Sequence, residues 1–285
     1  MIKVSVIGAT GYTGAELVRL LLHHPQVRID KLTSESFAGQ KFSQVYPGIR
    51  CDIICEKLDV ERITSPFVFT ALPHGTSAEV VDKLYKRGAK IVDLSADFRL
   101  NKKEIYEAWY GIIHPREDLL SKAVYGLPEL YREKIKKATL VATPGCYPTS
   151  IILALAPLLR YNLIEKRTIV ADSKSGVSGA GRKPSLNTHF PEVNENINAY
   201  KIEGHRHIPE MEQELSKIAK EKVTLTFIPH LIPVNRGIFS TCYAQLKKDC
   251  TTEELFELYT QFYRGETFVE VLPPGIFPHT KEVLH

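Results

Sequence analysis

The chain begins with the segment IKVSVIGATGYTG, residues Ile2–Gly14, in which an apolar run leads directly into a turn with three glycines. The run predicts a buried strand, and the pattern of Ala15–Leu22 predicts the helix that follows it. Glycine adopts backbone angles that side chains forbid, and it lets a ligand reach the N–H groups at the start of a helix. A strand, a glycine turn and a helix in this order predict a pocket for the pyrophosphate of a dinucleotide. A glycine-rich turn without a ligand is the alternative.

Apolar strands and amphipathic helices alternate through the first half of the chain. The sequence predicts strands at Phe67–Leu72 and Ile91–Leu94, and between them a helix at Thr76–Arg87 that Gly88 ends. This alternation predicts an α/β fold with an N-terminal Rossmann-like parallel sheet, whose ligands lie beyond the carboxyl ends of the strands. Four loops are expected to meet at that edge. They are Gly8–Gly14, Ser34–Gln40, Pro73–Thr76 and Ser95–Arg99.

A domain boundary is predicted near Cys146, which divides the chain into residues 1–145 and residues 146–285. The second part is predicted to be a C-terminal α+β domain with a mixed sheet, because longer, alternating strands interleave with helices. Gly111–Pro128 is predicted to be a loop, and Thr280–His285 to begin an extended segment. The predicted strands are Thr168–Ser173, Val223–Ile228 and Gly237–Leu246, and the helices are Pro209–Lys220 and Thr252–Tyr263.

The composition, with 44% hydrophobic and 25% charged residues, is ordinary for a soluble globular protein. There is no apolar run long enough for a bilayer and no secretory signal, so we expect a cytoplasmic protein without membrane contact. The net charge of +4 suits a small anionic ligand and is too diffuse for nucleic acid. Five cysteines without framework spacing favour a reducing compartment. Cys51 and Cys55 lack the companion pair that zinc needs, so no metal is expected.

Cys146 differs from the other four cysteines in its position. It follows Pro144 and Gly145, which predict a turn, and it precedes Pro148, which suits a first helical turn. The thiol is therefore expected at a helix N-terminus, whose partial positive charge favours the thiolate. A thiolate is a strong nucleophile near neutral pH. A buried structural cysteine is the alternative.

Two further segments carry polar groups that suit chemistry. Glu203–Glu210, reading EGHRHIPE, places His205 and His207 ahead of a helix. A histidine near a thiol can accept or deliver a proton, although two loop histidines can equally cap the helix or face solvent. Ser173–Arg182, reading SKSGVSGAGR, predicts a loop whose N–H groups enclose an anion, with a flexible surface loop as the equal alternative.

Arginines add candidates for an anionic substrate. Arg182 and Arg236 present guanidinium groups that suit a carboxylate or a phosphate, or they are ordinary surface charges. A dinucleotide pocket, a thiol and a histidine together predict one chemistry. The thiol attacks an activated acyl group to form a thioester, and hydride from a nicotinamide reduces the thioester to an aldehyde. This chemistry requires the thiol to lie beside the nicotinamide.

Motifs along the whole chain carry a resemblance to a known family. These motifs are GATGYTGAELVRLL from Gly8, FTALPHG from Phe69, DLSADFRL from Asp93, YGLPEL from Tyr125, PGCYPTS from Pro144, SKSGVSGAGR from Ser173, GHRHIPEMEQEL from Gly204 and PHLIPVNRG from Pro229. With them the chain resembles the N-acetyl-gamma-glutamyl-phosphate reductase family of arginine biosynthesis, which is related to aspartate-semialdehyde dehydrogenase.

The resemblance implies NADPH-dependent reduction of N-acetyl-L-glutamyl 5-phosphate to the 5-semialdehyde, with release of phosphate. It implies an NAD(P)-binding domain followed by a catalytic and dimerisation domain, with Cys146 as nucleophile and His205 as the acid–base residue. Together with the loops predicted above, it places cofactor contacts at Gly8, Thr10, Gly11, Tyr12, Thr13, Gly14, Ser34, Ser36, Pro73, Ser175 and Gly176. It places Arg99, Ser178, His207 and Arg236 near the substrate.

Two departures from the family pattern bear on these expectations. Many relatives have an arginine for the 2′-phosphate where this chain has Ser34, Glu35 and Ser36. The serines and nearby Lys41 can still contact a phosphate, but an acidic side chain is the usual sign of NAD, so NADP rests on the resemblance and NAD stays open. Relatives also continue beyond the TKEV segment with a strand and a long helix. We therefore expect an incomplete chain with exposed apolar surface and a partly open nicotinamide pocket.

Several alternatives remain open. The same chemistry on aspartyl phosphate or on a carrier-linked aminoadipyl phosphate fits the same motifs. A non-catalytic nucleotide-binding sensor would keep the glycine turn without needing a nucleophile, and a cysteine hydrolase would not need Gly8–Gly14. The expected partner is a small acyl phosphate, and the resemblance implies a homo-oligomer, either a dimer or a tetramer.

Overall fold

The computed structural model describes residues 1–284. The chain forms two compact units, Met1–Pro144 and Gly145–His285. In the first unit the strands are β1 Ile2–Ile7, β2 Val27–Thr33, β3 Cys55–Glu56, β4 Phe67–Thr70, β5 Lys90–Asp93, β6 Val124–Tyr125 and β7 Leu140–Ala142. Its helices are α1 Tyr12–Leu22, α2 Phe42–Val45, α3 Ser77–Lys86, α4 Lys103–Tyr110, α5 Glu117–Leu120 and α6 Pro128–Ile135.

The seven strands of the first unit form one sheet in the order β3-β2-β1-β4-β5-β7-β6. Every neighbouring pair in this sheet is parallel. Because β1 lies between β2 and β4, the strand order reverses beside β1, and such a switch point is where sheets of this kind bind ligands. The structure confirms the predicted Rossmann-like α/β fold.

Apolar side chains cover both faces of this sheet. Val4 and Val6 pack into a buried cluster with Phe42, whereas Ile7 belongs to a second cluster with Leu84 of α3. The split follows from the alternation of side chains along a strand. A strand buried on both faces reads as a continuous apolar run, which is why β1 is recognisable in the sequence.

The glycine turn after β1 is shaped by close backbone contacts. Gly8 has a φ of +81°, and a Cβ there would lie 2.4 Å from the carbonyl oxygen of Ala71. A Cβ on Gly14 would lie 2.4 Å from the carbonyl oxygen of Gly8. For Gly11 the nearest such atom is 3.7 Å away. Two of the three glycines are therefore required by packing, and the third lies where the backbone faces open space.

The second unit contains a four-stranded sheet in the order β11-β8-β10-β9. Strands β8 and β10 are parallel and the other pairs antiparallel, which confirms the predicted mixed sheet. Its strands are β8 Ile169–Ser175, β9 Asn198–Ala199, β10 Leu225–Leu231 and β11 Ile238–Tyr243. Its helices are α7 Cys146–Arg160, α8 Phe190–Val193, α9 Ile208–Ala219 and α10 Thr252–Phe262.

Two predicted segments differ from the structure. Gly111–Pro128, predicted to be a loop, contains the short helix α5 and the two-residue strand β6. Neither is long enough to show a period, and β6 exists because it pairs with β7. The C-terminal segment predicted to be extended instead forms a 3₁₀ turn at Thr280–Val283, and His285 lies outside the described residues. Among residues 1–284, no helix combines the length and apolarity needed to cross a bilayer.

The contact at Gly8 makes a stability prediction. Gly8→Ala is expected to lower the free energy of unfolding of the first unit by about 2–4 kcal/mol, because left-handed backbone strain adds to a collision with Ala71. Gly88→Ala is the matched control, since Gly88 has a φ of +79° and no described atom within 4 Å of its Cβ position. It should cost about 1 kcal/mol. Urea unfolding followed by the fluorescence of Trp109, the single tryptophan, measures both. Equal losses would show that the Ala71 contact does not require glycine at position 8.

Candidate active site

One candidate site, in the first unit, is the N-terminus of α1. Its N-cap is Gly11, which has no side chain to offer, and its first turn contains no acidic residue. Gly11, Tyr12 and Thr13 are exposed. The N–H groups of a first helical turn have no intrahelical partners and carry a partial positive charge. The turn therefore fits the pyrophosphate of a dinucleotide, and the room at Gly11 lets phosphate oxygens approach the backbone.

Hydrogen bonds tie this turn to the end of β2. The hydroxyl groups of Thr10 and Ser34 lie 2.6 Å apart. The hydroxyl of Tyr46 donates to the carbonyl oxygen of Thr10 at 2.9 Å, and the N–H of Gly8 donates to Oγ1 of Thr33 at 3.2 Å. Thr10 and Ser34, both predicted cofactor contacts, are thus brought together and are both buried. Tyr46 was not found from the sequence, because its hydroxyl reaches the turn from a position 36 residues away.

The residues after β2 bear on the choice of nucleotide. The carboxylate of Glu35 accepts a hydrogen bond from the N–H of Leu58 at 3.2 Å. Ser36 is exposed, and the hydroxyl of Ser34 accepts from the N–H of Phe37 at 3.2 Å. Glu35, the acidic residue that suggested NAD, is therefore hydrogen-bonded to the backbone of Leu58. Pro73, in the loop after β4, is exposed.

The other candidate site, in the second unit, is the start of α7. Cys146 is the first residue of this 15-residue helix, and its side chain is exposed. Gly145 is the N-cap, so no cap side chain lies beside the thiol, and the first turn contains no acidic residue. Helix α7 begins at Cys146, where the turn at Pro144 and Gly145 predicts a helix N-terminus, and its first turn contains Pro148 as expected.

Glu210 and His207 hold the turn before Cys146. The carboxylate of Glu210, which is 1% exposed, accepts the N–H of Gly145 at 2.8 Å. A Cβ on Gly145 would lie 2.6 Å from Nε2 of His207. The imidazole of His207 therefore occupies the space that any other residue at position 145 would need. Glu210 lies in the quoted segment EGHRHIPE, but nothing in the sequence shows a contact across 65 positions.

His205 lies in an aromatic environment. Its ring packs edge-on against Tyr147, Tyr200 and Phe227, with centroid distances of 5.6, 5.8 and 5.3 Å. Its Nδ1 accepts the backbone N–H of His207 at 3.1 Å, so the neutral ring carries its proton on Nε2. Burial, with smaller contributions from Lys201 and Arg206, lowers the pKa of His205 to about 4. His205 is therefore neutral at physiological pH.

The predicted substrate residues have well-defined partners within their own units. In the first unit, the guanidinium of Arg99 donates to the carbonyl oxygens of Thr143 at 2.7 Å and Leu94 at 2.9 Å. In the second unit, the hydroxyl of Ser178 donates to the carbonyl oxygen of Asn235 at 2.5 Å. These contacts fix the ends of β5 and β7 and the loop after β8.

The loop after β8 lies directly against the segment that contains Arg236. The N–H of Gly176 donates to the carbonyl oxygen of Gly237 at 2.9 Å, and a Cβ on Gly176 would lie 2.8 Å from the backbone nitrogen of Arg236. Ser175, at the end of β8, is buried. A cavity of ≈ 530 Å³ next to this segment is lined by residues that include Asn235, Arg236 and Lys281. Two cationic side chains beside one cavity favour an anionic ligand.

Comparisons with known proteins agree for both units. Residues 3–138 match the family described as semialdehyde dehydrogenase, NAD binding domain. Residues 146–285 match the family described as semialdehyde dehydrogenase, dimerisation domain. The N-acetyl-gamma-glutamyl-phosphate reductase of Pelotomaculum thermopropionicum is 54% identical over 286 residues, which is 99% of this chain and 82% of that protein. The protein of the same name from Desulforamulus reducens is 52% identical over 287 residues, which is 99% of this chain and 83% of that protein.

Solved structures show the same fold at low sequence identity. A probable aspartate-semialdehyde dehydrogenase from Pseudomonas aeruginosa has a TM-score of 0.69 and 19% identity, covering 98% of this chain and 83% of that one. Aspartate semialdehyde dehydrogenase with NADP from Candida albicans has a TM-score of 0.66 and 16% identity, covering 93% of this chain and 76% of that one.

The environment of His205 predicts a pH dependence of stability. Its native pKa of about 4 lies below the unfolded value, so between these values the unfolded state binds a proton that the native state does not. Stability is therefore fully present above about pH 6.5 and is lost as the pH falls toward about 4, by on the order of 3 kcal/mol. Urea unfolding followed by circular dichroism measures this slope. His205→Gln should remove most of the loss, and an unchanged slope in that variant would assign it to other groups.

Proposed function

The chain belongs to the N-acetyl-gamma-glutamyl-phosphate reductase family of semialdehyde dehydrogenases, and on that premise we propose that it reduces N-acetyl-L-glutamyl 5-phosphate to the 5-semialdehyde with release of phosphate, in arginine biosynthesis. The proposal is supported by relatives of that name that are 54% and 52% identical over 99% of the chain. The observation that carries it is the exposed thiol of Cys146 at the start of α7.

Cys146 is the proposed nucleophile. The N-terminus of α7 favours the thiolate, since no carboxylate in the first turn opposes it. The sulfur attacks the acyl carbon, the C–S bond forms, and the C–O bond to phosphate breaks, so that phosphate leaves with the electron pair. Backbone N–H groups at the start of α7 stabilise the oxyanion that forms during this exchange. The product of this step is a thioester on Cys146.

The nicotinamide ring, when bound, supplies the hydride that reduces this thioester. The residues that would hold the nucleotide are the glycine turn, Thr10 and Ser34, because the N-terminus of α1 offers N–H groups to a diphosphate. After reduction the thiohemiacetal collapses, the C–S bond breaks, and the aldehyde leaves with Cys146 restored as thiolate. The thiol must be reduced for this cycle, which favours the cytoplasm as the site of action.

The two histidines have different environments, and these support different roles. His205 is the predicted acid–base residue, and its low pKa keeps it neutral, with Nε2 carrying the proton. His207 lies against Gly145, the residue directly before the nucleophile. We therefore propose that this pair of histidines transfers protons to and from the reacting oxygen. His207 contacts the substrate, and His205 orients His207 by accepting the hydrogen bond from the backbone N–H of His207. His207→Asn should then lower kcat more than His205→Asn.

The anionic groups of the substrate are assigned to the cavity beside Arg236. The side chains of Arg236 and Lys281 both line it, and Gly176 fixes the position of the Arg236 backbone. A guanidinium forms paired hydrogen bonds to a phosphate or a carboxylate. Ser178 contributes by fixing the backbone of Asn235 through its bond to that carbonyl oxygen.

Self-association through the second unit is part of the proposal. The family that matches residues 146–285 is described as a dimerisation domain. Strand β8 alternates between buried and half-exposed residues, and the half-exposed ones include Asp172 and Lys174. His230 on β10 lies 3.1 Å from Asp172 on the same face. This half-exposed sheet face is the proposed interface between two copies.

Replacement of the nucleophile tests the reaction. Cys146→Ser is expected to lower kcat by about 10³-fold or more, because a hydroxyl is not ionised near neutral pH. Cys250→Ser is the matched control at another accessible cysteine and should keep full activity. Turnover is measured as phosphate-dependent reduction of NADP⁺ with the N-acetylglutamate, aspartate and aminoadipate semialdehydes. Wild-type activity in Cys146→Ser would exclude covalent catalysis, and a preference for another aldehyde would reassign the substrate.

The reactivity of Cys146 toward an alkylating reagent distinguishes an enzyme from a nucleotide-binding sensor. Iodoacetamide should modify Cys146 first, because burial raises the pKa of Cys51 and Cys55 and raises that of Cys242 to about 11. Mass spectrometry of the modified peptides gives the order of reaction. If Cys250 reacts faster than Cys146, the thiol lacks the activation that the mechanism requires.

Cofactor choice is tested at the end of β2. We propose a preference for NADPH, supported by the engagement of Glu35 with Leu58 and by the exposed hydroxyl of Ser36. Ser36→Ala is expected to weaken NADPH binding by about tenfold and to leave NADH binding unchanged, because a hydrogen bond to a charged phosphate is lost. Glu35→Gln should leave the ratio of the two dissociation constants unchanged. Fluorescence titration measures them, and tighter binding of NADH to the wild type would assign the protein to NAD.

A further inference from the structure

The start of helix α3 is capped by a residue from another loop. The N-cap Thr76 makes no side-chain hydrogen bond of its own. The carboxylate of Asp97, in the loop after β5, accepts the N–H of Ala78 at 3.0 Å and the N–H of Gly75 at 2.9 and 3.1 Å. Asp97 is fully buried. A buried carboxylate needs such donors, and here they come from the loop that follows β4.

Asp97 is itself held in place from two other elements. The hydroxyl of Tyr106 in α4 donates to its Oδ1 at 2.7 Å. Burial and the neighbouring carboxylate raise the pKa of Tyr106, so this donor stays protonated. Nε2 of His114 lies 2.6 Å from the carbonyl oxygen of Asp97. The carboxylate therefore cannot move without breaking these bonds.

The loop between β4 and α3 is fixed by the same segment at a second point. The N–H of Ala96 donates to Nδ1 of His74 at 3.0 Å. Gly75 has a φ of +83°, and a Cβ there would meet the side chain of Ile112 at 2.9 Å. The chain just before this loop includes Ala71, whose carbonyl oxygen packs against Gly8. The loop thus follows closely after the residue that packs against the glycine turn.

Helices α1 and α3 follow neighbouring parallel strands, yet their N-termini differ in charge. At α1 the first turn is exposed and has no acidic side chain. At α3 the carboxylate of Asp97 already accepts one N–H of the first turn, that of Ala78, and the turn also contains Glu79. Since a helix N-terminus attracts anions, a dinucleotide diphosphate at this edge of the sheet is expected to bind at α1, where no acidic side chain opposes it.

We propose that Asp97 is a positioning residue for the nicotinamide dinucleotide. Its carboxylate disfavours binding of the diphosphate at the N-terminus of α3, and it holds the backbone of Pro73–Thr76 in place as one side of the cofactor pocket before the cofactor binds. The inference rests on the proposed function, because it takes the glycine turn and Pro73 as cofactor contacts. It adds a residue that touches neither the cofactor nor the substrate and acts through the backbone of the loop.

The test is Asp97→Asn, which replaces one carboxylate oxygen with an amide that cannot accept an N–H. The dissociation constant and the KM for NADPH are expected to rise about tenfold, with kcat within about twofold of wild type, because about one charge-assisted hydrogen bond to the loop is lost. In the protein without nucleotide, hydrogen exchange at the amides of Gly75 and Ala78 should speed up by at least about tenfold. The rate of Cys146 alkylation should not change.

Asp93→Asn is the matched control, because Asp93 is also a fully buried aspartate at the end of β5. It accepts the hydroxyls of Thr70, Ser77 and Ser95 at 2.6 Å each. A loss of general stability would appear in both variants, whereas the KM for NADPH should rise only in Asp97→Asn. An equal rise in both variants, or an unchanged KM in Asp97→Asn, overturns the inference.

Gly75→Ala provides a second route if Asp97→Asn does not fold. Its φ of +83° is strained for alanine, and relaxation of the backbone at position 75 would displace the loop from Asp97 without removing the carboxylate. It should raise the KM for NADPH in the same way, and an unchanged KM overturns the inference. Absence of NADPH binding by the wild-type protein would instead reject the proposed function, and this inference with it.

Discussion

The first turn of a helix leaves N–H groups without partners inside the helix, and the chemistry assigned to this protein depends on how three helices satisfy them. At α1 a glycine cap leaves them open to solvent. At α3 the carboxylate of Asp97 takes the N–H of Ala78. At α7 the carboxylate of Glu210 takes the N–H of Gly145, one residue outside the helix, and leaves the first turn to the thiol of Cys146. In the proposed reaction the same backbone feature thus binds a ligand at α1, anchors a loop at α3 and activates a nucleophile at α7.

Buried carboxylates make these arrangements rigid. Asp93 and Asp97 in the first unit and Glu210 in the second have almost no solvent contact. An unpaired charge in such a place would cost several kcal/mol, so each carboxylate must keep its donors. For Asp93, burial raises the pKa even against three hydroxyl donors. The donors to Asp97 and Glu210 include backbone N–H groups of loops, and the requirement to satisfy these two carboxylates fixes those loops before any ligand is bound.

Local sequence patterns were sufficient to predict helices and strands, but they could not predict contacts between distant residues. Strand β1 was predicted with its observed bounds, because an apolar run before glycine needs no partner to be recognised. The thiol of Cys146 was expected at a helix start for the same local reason. Strand β6 could not be found, since two residues acquire their strand character only by pairing with β7. Glu210 was missed because its role lies in a bond to Gly145, which the sequence does not encode in any spacing.

The neutral state of His205 constrains how charge is balanced in the proposed reaction. A histidine with a pKa of about 4 cannot provide a standing positive charge for a thiolate at neutral pH. Stabilisation of the thiolate then falls to the N-terminus of α7, which provides a fixed partial charge and no exchangeable proton. In the proposed roles His205 therefore acts by orienting His207, which contacts the substrate, and not by forming an ion pair with sulfur. In the proposed reaction the helix stabilises the sulfur, and the histidine pair acts on the substrate oxygen. This division of roles follows from the burial of His205 among Tyr147, Tyr200 and Phe227.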